Sequence, residues 1–251
     1  MKKKPLISII ITYYKKKNFI KKTLDSIFNQ TYKNYEVIFV YDDEDKIDIS
    51  FLKKLLSKFK KKKIIINKKN LGVAGSRNLA IKYSKGKYLA FIDADDVWKK
   101  HKLLKQLHFM ETNSYNFSFT SYAVVNEKDM ILNTRQANFD ADYSTLYNSN
   151  FIGLSTVMIN RSIIRSVHFP NLKTQEDFAL WLKLARKGYK LKHLNQTLSF
   201  WRNSKNSLSS NTLNKLRDAF KLYYIHENKN LIFSVYSVLI LSYNKIFRIF
   251  N

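Results

Sequence analysis

The sequence has 251 residues, 45% of them hydrophobic and 15% aromatic, which is enough to bury the core of one large α/β domain and excludes a disordered tail. It has no cysteine, which excludes a disulfide scaffold and thiol chemistry, and its five glycines (Gly72, Gly75, Gly86, Gly153 and Gly188) spell neither G-x-G-x-x-G nor G-x-x-x-x-G-K-[ST], which argues against a glycine-loop nucleotide site. The net charge of +26 invites a nucleic-acid partner, but only eight of the 45 basic residues are arginine, the better fork for phosphates and base edges, and no nucleic-acid motif accompanies them.

In chain order, residues 6–12 (LISIIIT) form a continuous β-branched run, as a strand buried on both faces requires. Residues 18–30 place Ile20, Leu24, Ile27 and Phe28 at helical spacing. Residues 36–42 (EVIFVYD) read as a second strand. Phe51, Leu52, Leu55, Leu56 and Phe59 mark a second helix, and 64–67 (IIIN) a third strand. The pattern then predicts a helix over 75–84, a turn at Gly86, a fourth strand over 87–93 (KYLAFID) and a helix over 98–110. Strands and helices alternating over short connections predict right-handed crossovers and a mostly parallel sheet.

After about residue 112 the alternation fails. Residues 116–125, 155–161 and 189–194 read as strands, and 126–150 as polar and irregular. Residues 176–187 predict a helix closed by Gly188, and 211–230 a further helix. Residues 231–244 are uncharged and largely apolar, but fourteen residues are short of the roughly 20 that span a membrane. That segment reads as a packing helix, with a helix lying in a membrane interface as the alternative. The apolar run 6–14 lacks a cleavage site, so no signal peptide is expected.

Three acidic clusters stand out in so basic a chain. The strand ending at 93 runs into Asp93-Ala94-Asp95-Asp96. If the chain stays extended, alternation puts Asp93 and Asp95 on one side, at the carboxyl end of a parallel strand, where ligands bind in open sheets. Two close carboxylates repel unless a cation intervenes, and Mg²⁺ or Mn²⁺ would leave positions open for a diphosphate. The competing reading is that Asp95 or Asp96 caps the helix that follows. The second cluster, Asp42-Asp43-Glu44-Asp45, is either a solvated turn or a contact for a nucleotide base or ribose. The third, Glu176-Asp177, opens a helix and suits its dipole there, or supplies a general base.

As a set these motifs resemble glycosyltransferase family 2, the inverting nucleotide-sugar transferases of GT-A type. The carriers are ITYYK with Thr12 and Tyr14, SIFNQTYKNYE (26–36), VYDDEDK with Asp42 and Asp43, NLGVAGSRN (70–78), GKYLAFIDADDVW (86–98), EDFALWL (176–182) and WRNSKNSLS (201–209). The likeness covers roughly residues 5–210 and leans toward transferases that build surface polysaccharides, such as the teichuronic-acid type. It departs from the family pattern in Lys15, which replaces the usual Asn, and in Glu44-Asp45, which replaces Gly-Ser.

The resemblance implies a GT-A fold: a mostly parallel, Rossmann-like nucleotide-binding sheet flanked by helices (1–112), fused to a smaller acceptor-side half (113–210), with a C-terminal helical extension (211–251). It implies that Thr12, Tyr14 and Asp43 hold uracil and ribose, with Asp42 also in the nucleotide-sugar site. Arg77 meets the diphosphate or braces the acidic strand end. Asp93, Ala94 and Asp95 form the DxD element, with Asp95 and Asp93 on Mn²⁺ or Mg²⁺. Asp177 is the base, with Glu176 beside it. The implied reaction takes a sugar from a UDP-sugar to a glycan or lipid-linked acceptor, in the cytoplasm or on the inner face of the cell membrane, where the positive charge favours an anionic surface. No nucleic acid is expected. The alternatives are a nucleotidyltransferase, which lacks its glycine-rich segment here, and a non-enzymatic basic module, which leaves the acidic clusters unexplained.

Overall fold

The computed structural model of the protein describes residues 4–165, 167–204 and 211–247. The front half runs β1 (Ile7–Tyr13), α1 (Lys17–Phe28), β2 (Tyr35–Tyr41), α2 (Ile49–Leu56), β3 (Lys62–Ile66), α3 (Gly72–Tyr83) and β4 (Tyr88–Asp93). The back half runs β5 (Val97–Trp98), α4 (Lys102–Thr112), β6 (Phe117–Val125), β7 (Ile131–Arg135), α5 (Tyr143–Tyr147), β8 (Met158–Asn160), α6 (Arg161–Ile164), α7 (Glu176–Arg186) and β9 (Lys192–Arg202). Helix α8 (Thr212–Lys221), a π-helical turn (Leu222–His226) and α9 (Leu231–Phe247) follow.

One nine-stranded sheet joins the two halves, in the order β3-β2-β1-β4-β8-β6-β9-β5, with β7 paired to β6. The strands β3, β2, β1 and β4 are parallel, as the alternation predicts. From β8 onward the sheet is mixed, because β8 runs antiparallel to both β4 and β6. The fold is α/β, a largely parallel front sheet flanked by helices.

The period of two sorts the front strands between two cores. Ile7, Ile9, Ile11, Val37, Phe39, Tyr88, Ala90 and Ile92 pack beneath α1, α2 and α4. Ile10, Ile38, Val40, Leu89 and Phe91 face the other way, toward α3 and α7, and join Trp181, Phe117 and Phe169. Full burial of an aliphatic side chain of this kind stabilises by about 1.5–3 kcal/mol, so both faces are closed to water. The same parity runs to the strand ends and, in β2, one residue beyond. It puts Thr12, Asp42 and Asp93 on the α3 side, where the buried Arg77 of α3 awaits.

Several elements depart from the expectation. The helix expected from Trp98 begins only at Lys102, because Val97-Trp98 pair with Phe200-Ser199 and the Trp98 indole donates to the Ser155 carbonyl at 2.7 Å. Residues 126–150 are not wholly irregular: they hold β7 and α5, the latter capped by Asp142. The strand expected over 155–161 shrinks to β8, between a 3₁₀ turn (Leu154–Thr156) and α6. The strand expected over 189–194 extends as β9 to Arg202, where pairing with β6 outlasts its alternating pattern. The helix expected over 211–230 ends as α8 at Lys221 and gives way to the π-helical turn. Gly188 closes α7 at φ +87°, as expected of a C-terminal glycine.

Gly86 is required by close approach. A Cβ there would lie 2.5 Å from the Ser8 amide nitrogen and 2.8 Å from the Leu6 carbonyl, all of it backbone that cannot move without shifting β1. Gly86→Ala is expected to cost about 3 kcal/mol, read as a lower urea midpoint at unchanged slope.

Candidate active site

The site forms where β1, β2 and β4 end. Past β4 the chain does not stay extended. The Asp96 amide donates to the Asp93 carbonyl at 3.1 Å and closes a turn, so Asp93 and Asp95 are gathered by a bend rather than by strand alternation. Neither Asp95 nor Asp96 caps a helix, since α4 starts after His101 with no side-chain cap.

Each acid in the turn has its own partner. Asp93, 34% exposed at its side chain, accepts from Arg77 Nη2 at 2.8 Å. Asp95 pairs with Lys16 Nζ at 2.7 Å, and Lys16 also reaches Ser204 Oγ at 3.3 Å. Asp96 is buried. It accepts from Ser155 Oγ at 2.5 Å and from the Arg202 amide at 2.9 Å. The Ala94 carbonyl accepts from Thr23 Oγ1, so Ala94 offers backbone rather than a functional side chain. Arg202 locks the turn from outside: its Nε donates to the Asp95 carbonyl and its Nη2 to Asp129.

Arg77 is the centre of the arrangement. It sits on α3 at 4% exposure, and its two terminal nitrogens point opposite ways: Nη2 to Asp93, Nη1 to Glu176 at the start of α7. Burial opposes its charge, but Asp93, Glu176 and Asp177 outweigh that and hold the guanidinium ionised. Glu176 is therefore spent on Arg77, although burial still pushes its carboxyl above the ordinary range.

Asp177 feels the Arg77 charge but, among the described residues, forms no salt bridge of its own. Among the described residues its Oδ1 accepts from the following amide, Phe178, at 2.7 Å, and the residue keeps a partial opening to solvent. Burial, followed by repulsion from Glu176, pushes it up to about 7. The residue before this pair, Gln175, is held at φ +65°, a left-handed conformation unusual for a side-chain-bearing residue. Backbone strain of this sort is tolerated where the surroundings over-determine it, and here α7 must start abruptly to aim both acids inward.

On the nucleotide side the expected residues divide. Thr12 lies in register with Val40 and Asp93 at the strand ends and is partly buried. Tyr14 is 43% exposed, with the Lys15 ammonium 5.4 Å from its ring centre. Asp43 is buried, which, with Asp45 nearby, raises its pKa against the pull of Lys15. Tyr14, Lys15 and Asp43 therefore cluster. Asp42 turns inward instead, accepting from Asn67 Nδ2 at 2.6 Å and the Leu71 amide at 2.8 Å, and so fixes the approach to α3. Lys15 has φ +49°, which accounts for the Asn usual at that position: Asn tolerates the left-handed region better than Lys.

Sequence reasoning missed Lys16, Ser155 and Arg202. Lys16 is one of three consecutive lysines, and nothing in the spacing separates it from its neighbours. Arg202 did carry a signal, the Trp201-Arg202 pair in the last matched motif; residues 205–209 of that motif lie outside the described residues.

The donor set fits a hard divalent cation. Asp93, Asp95, Asp96, Glu176 and Asp177 outnumber Arg77 and Lys16, the side-chain cations paired with them, and burial raises Asp95 and Asp96 accordingly. Asp93 offers an open oxygen, and Asp95 is freed if Lys16 keeps only its Ser204 bond. Among the described residues no His, Asp or Glu completes a group of three metal-competent side chains. The remaining positions would fall to phosphate and water, the usual coordination of Mg²⁺. A hollow of about 230 Å³ lined by Lys15, Lys16, Lys17 and Ser204 opens beside this corner. A wider one of about 820 Å³, between α1, β5 and Phe200, includes none of Asp93, Asp95 and Asp177.

Comparison with known proteins gives this geometry a family. The sequence profile described as Glycosyl transferase family 2 matches residues 8–167. The chain is 37% identical over 216 residues to the Escherichia coli UDP-Glc:alpha-D-GlcNAc-diphosphoundecaprenol beta-1,3-glucosyltransferase WfaP, covering 84% of this chain and 82% of that one. It is 34% identical over 224 residues to the putative teichuronic acid biosynthesis glycosyltransferase TuaG of Bacillus subtilis, covering 89% and 88%. Among solved structures, S. aureus TarS 1-349 in complex with UDP-GlcNAc superposes with a TM-score of 0.71 at 18% identity, over 87% of this chain and 65% of that one. The Pyrobaculum calidifontis mannosyltransferase PcManGT, in complex with GDP-Man and Mn²⁺, gives 0.69 at 16% identity, over 91% and 66%. The chain thus spans just under two thirds of the length of those two structures. With the profile covering more than half of it, the chain belongs to glycosyl transferase family 2 and is a glycosyltransferase.

Proposed function

We propose that this glycosyltransferase is metal-dependent and inverting, and that it moves a hexose from a UDP-sugar to a hydroxyl of a lipid-linked saccharide or glycan during assembly of a bacterial surface polysaccharide. The observation that carries the reading is the Arg77 bridge. It couples the acidic turn, whose carboxylates would hold a cation against a diphosphate, to a helix start that leaves Asp177 poised near neutrality. The names of WfaP and TuaG, which specify UDP-Glc with a diphosphoundecaprenol-linked acceptor and teichuronic acid, support the donor and acceptor classes. In this reading residues 1–112 serve the nucleotide sugar and 113–210 the acceptor, with the C-terminal helices as an extension.

In the reaction the acceptor hydroxyl oxygen attacks the anomeric carbon. The bond from that carbon to the diphosphate oxygen breaks, and the nucleoside diphosphate leaves with the electron pair. Asp177 Oδ takes the hydroxyl proton; its pKa near 7 matches a base working at neutral pH. One displacement inverts the anomeric centre. Tyr14 and Asp43 orient the base and ribose, and Thr12 lines the floor between them. Lys16, released from Asp95, places its charge on the leaving diphosphate. Asp95 and Asp93 would hold a divalent ion, which would supply Lewis-acid charge to that same group. Arg77 holds Asp93 and Glu176 still and keeps Glu176 from competing for the proton.

Asp177→Asn is expected to retain UDP binding and lose transfer by about 10³-fold. In the native protein the rate of transfer should rise with pH through about 7 as Asp177 ionises. Stability moves the other way. The folded state holds a proton on Asp177 that the unfolded chain, with its ordinary value of 3.8, has released, so stability falls as pH climbs from about 4 to about 7. That part of the slope should vanish in thermal melts of Asp177→Asn; retained transfer would remove Asp177 as the base.

Asp95→Ala is expected to keep the fold and to lose both turnover and the Mn²⁺-dependent part of the thermal shift given by UDP. Turnover undiminished in EDTA would remove the metal from the mechanism. Arg77→Met strands Asp93 and Glu176 without a cation and should cost about 3–5 kcal/mol in chemical denaturation.

A further inference from the structure

Helix α9 is turned the wrong way round for a surface helix of a water-soluble protein. Its buried stripe is Ser234, Ser237, Leu241 and Asn244. Three of the four are polar and hydrogen-bonded: Ser234 to the Asn230 carbonyl, Ser237 to Tyr147 Oη, and Asn244 Nδ2 to the Asn148 carbonyl at 2.9 Å. The opposite face presents Ile232, Tyr236, Leu239, Tyr243, Ile246 and Phe247, each more than half exposed. The apolar face of an amphipathic helix ordinarily goes to the core; here the core receives the polar one.

We propose that this outward face of α9 docks on the surface of an anionic phospholipid bilayer, lying in the interface with its axis along the membrane plane. This goes beyond the donor and acceptor reading and does not depend on it. Among the described residues no helix is long and apolar enough to cross a membrane, so α9 is read as lying on the surface. The apolar arc carries no charge. Lys245, one turn beyond Leu241 and itself exposed, lies near Lys215 of α8. Burial, together with the like charge of Lys245, brings Lys215 down to about 8. Both lysines offer a positive charge to a lipid phosphate beside this face. Leu213 and Leu216 of α8 and Tyr224 and Ile225 of the π-helical turn are exposed as well, extending the apolar character of this C-terminal layer. Tyrosines within such a face suit the headgroup boundary. Charge decides against a second copy as the occupant, because two chains of net charge +26 repel whereas an anionic leaflet attracts.

The test is flotation of the full chain with vesicles of phosphatidylcholine, with and without phosphatidylglycerol, and without any sugar nucleotide. The native protein should float with the phosphatidylglycerol vesicles and much less with phosphatidylcholine alone. The double substitution Ile232→Glu and Leu239→Glu should weaken that partition by about tenfold or more, while the melting temperature and the shift given by UDP stay as in the native protein. Lys215→Glu should weaken it less and only toward the anionic vesicles. Native protein left in the aqueous fraction, or a double variant that floats as well as the native, overturns the proposal. So does a vesicle-free dimer, by light scattering, that the double variant makes monomeric. Because no donor is present, these outcomes are independent of whether the chain uses a UDP-sugar.

Discussion

The pairing of Arg77 with Asp93 on one side and Glu176 on the other is the constraint around which the site is built. The two acids are distant in sequence, one ending β4 and the other opening α7, and a single buried guanidinium holds them at fixed separation. A lysine could neutralise one of them but lacks the planar fork to bridge both. Buried ion pairs are weak sources of net stability, because desolvation offsets most of the attraction. What the bridge provides is position: the carboxyl end of β4 and the amino end of α7 cannot drift apart while it holds. The cost falls on Asp177, which is left in a low-dielectric setting with a like charge next door. The same burial that destabilises its charged form makes it a base suited to neutral pH.

Much of the front half was legible because two periods are written plainly there. Alternation in β1, β2 and β4 divides their side chains between two cores, and the helical stripes of α1 and α4 match the first of them. The parity of the strands even carries through to Asp93, which lands on the α3 side where Arg77 lies. What alternation does not encode is the turn that follows. The bend at Ala94-Asp95 is fixed by Ser155 and Arg202, which are remote in sequence, so a local reading had no access to it. Trp98 misled for the same reason: its helical-looking neighbours were outvoted by strand pairing with β9 and by an indole bond to the Ser155 carbonyl.

The acidic clusters illustrate a second limit. Asp42 and Asp43 are adjacent and chemically alike, yet one is consumed by Asn67 and the Leu71 amide while the other faces Lys15 and Asp45. Glu176 and Asp177 divide in the same way, one taken by Arg77 and one left open. Residue type and spacing identify such pairs, but which member stays available depends on donors supplied by other segments. The left-handed Lys15 and Gln175 belong to the same picture. They stand at the ends of the elements that present Tyr14 and Asp177, where the chain adopts a conformation that local propensity resists.

The basic surface and the acidic site are two parts of one electrostatic design. A chain of net charge +26 sets up a field that draws anions, whether a nucleotide sugar or a phospholipid leaflet, and ionises nearby carboxyl groups more readily than water does. Within that field burial has still raised Asp43, Asp95, Asp96 and Asp177. Desolvation at the strand ends therefore outweighs the long-range attraction of the surface lysines, whose charges are screened over about 8–10 Å in physiological salt. The lysines act on approach and the buried acids on chemistry. Lys16, which touches both Asp95 and Ser204, is the residue through which the first influence reaches the second.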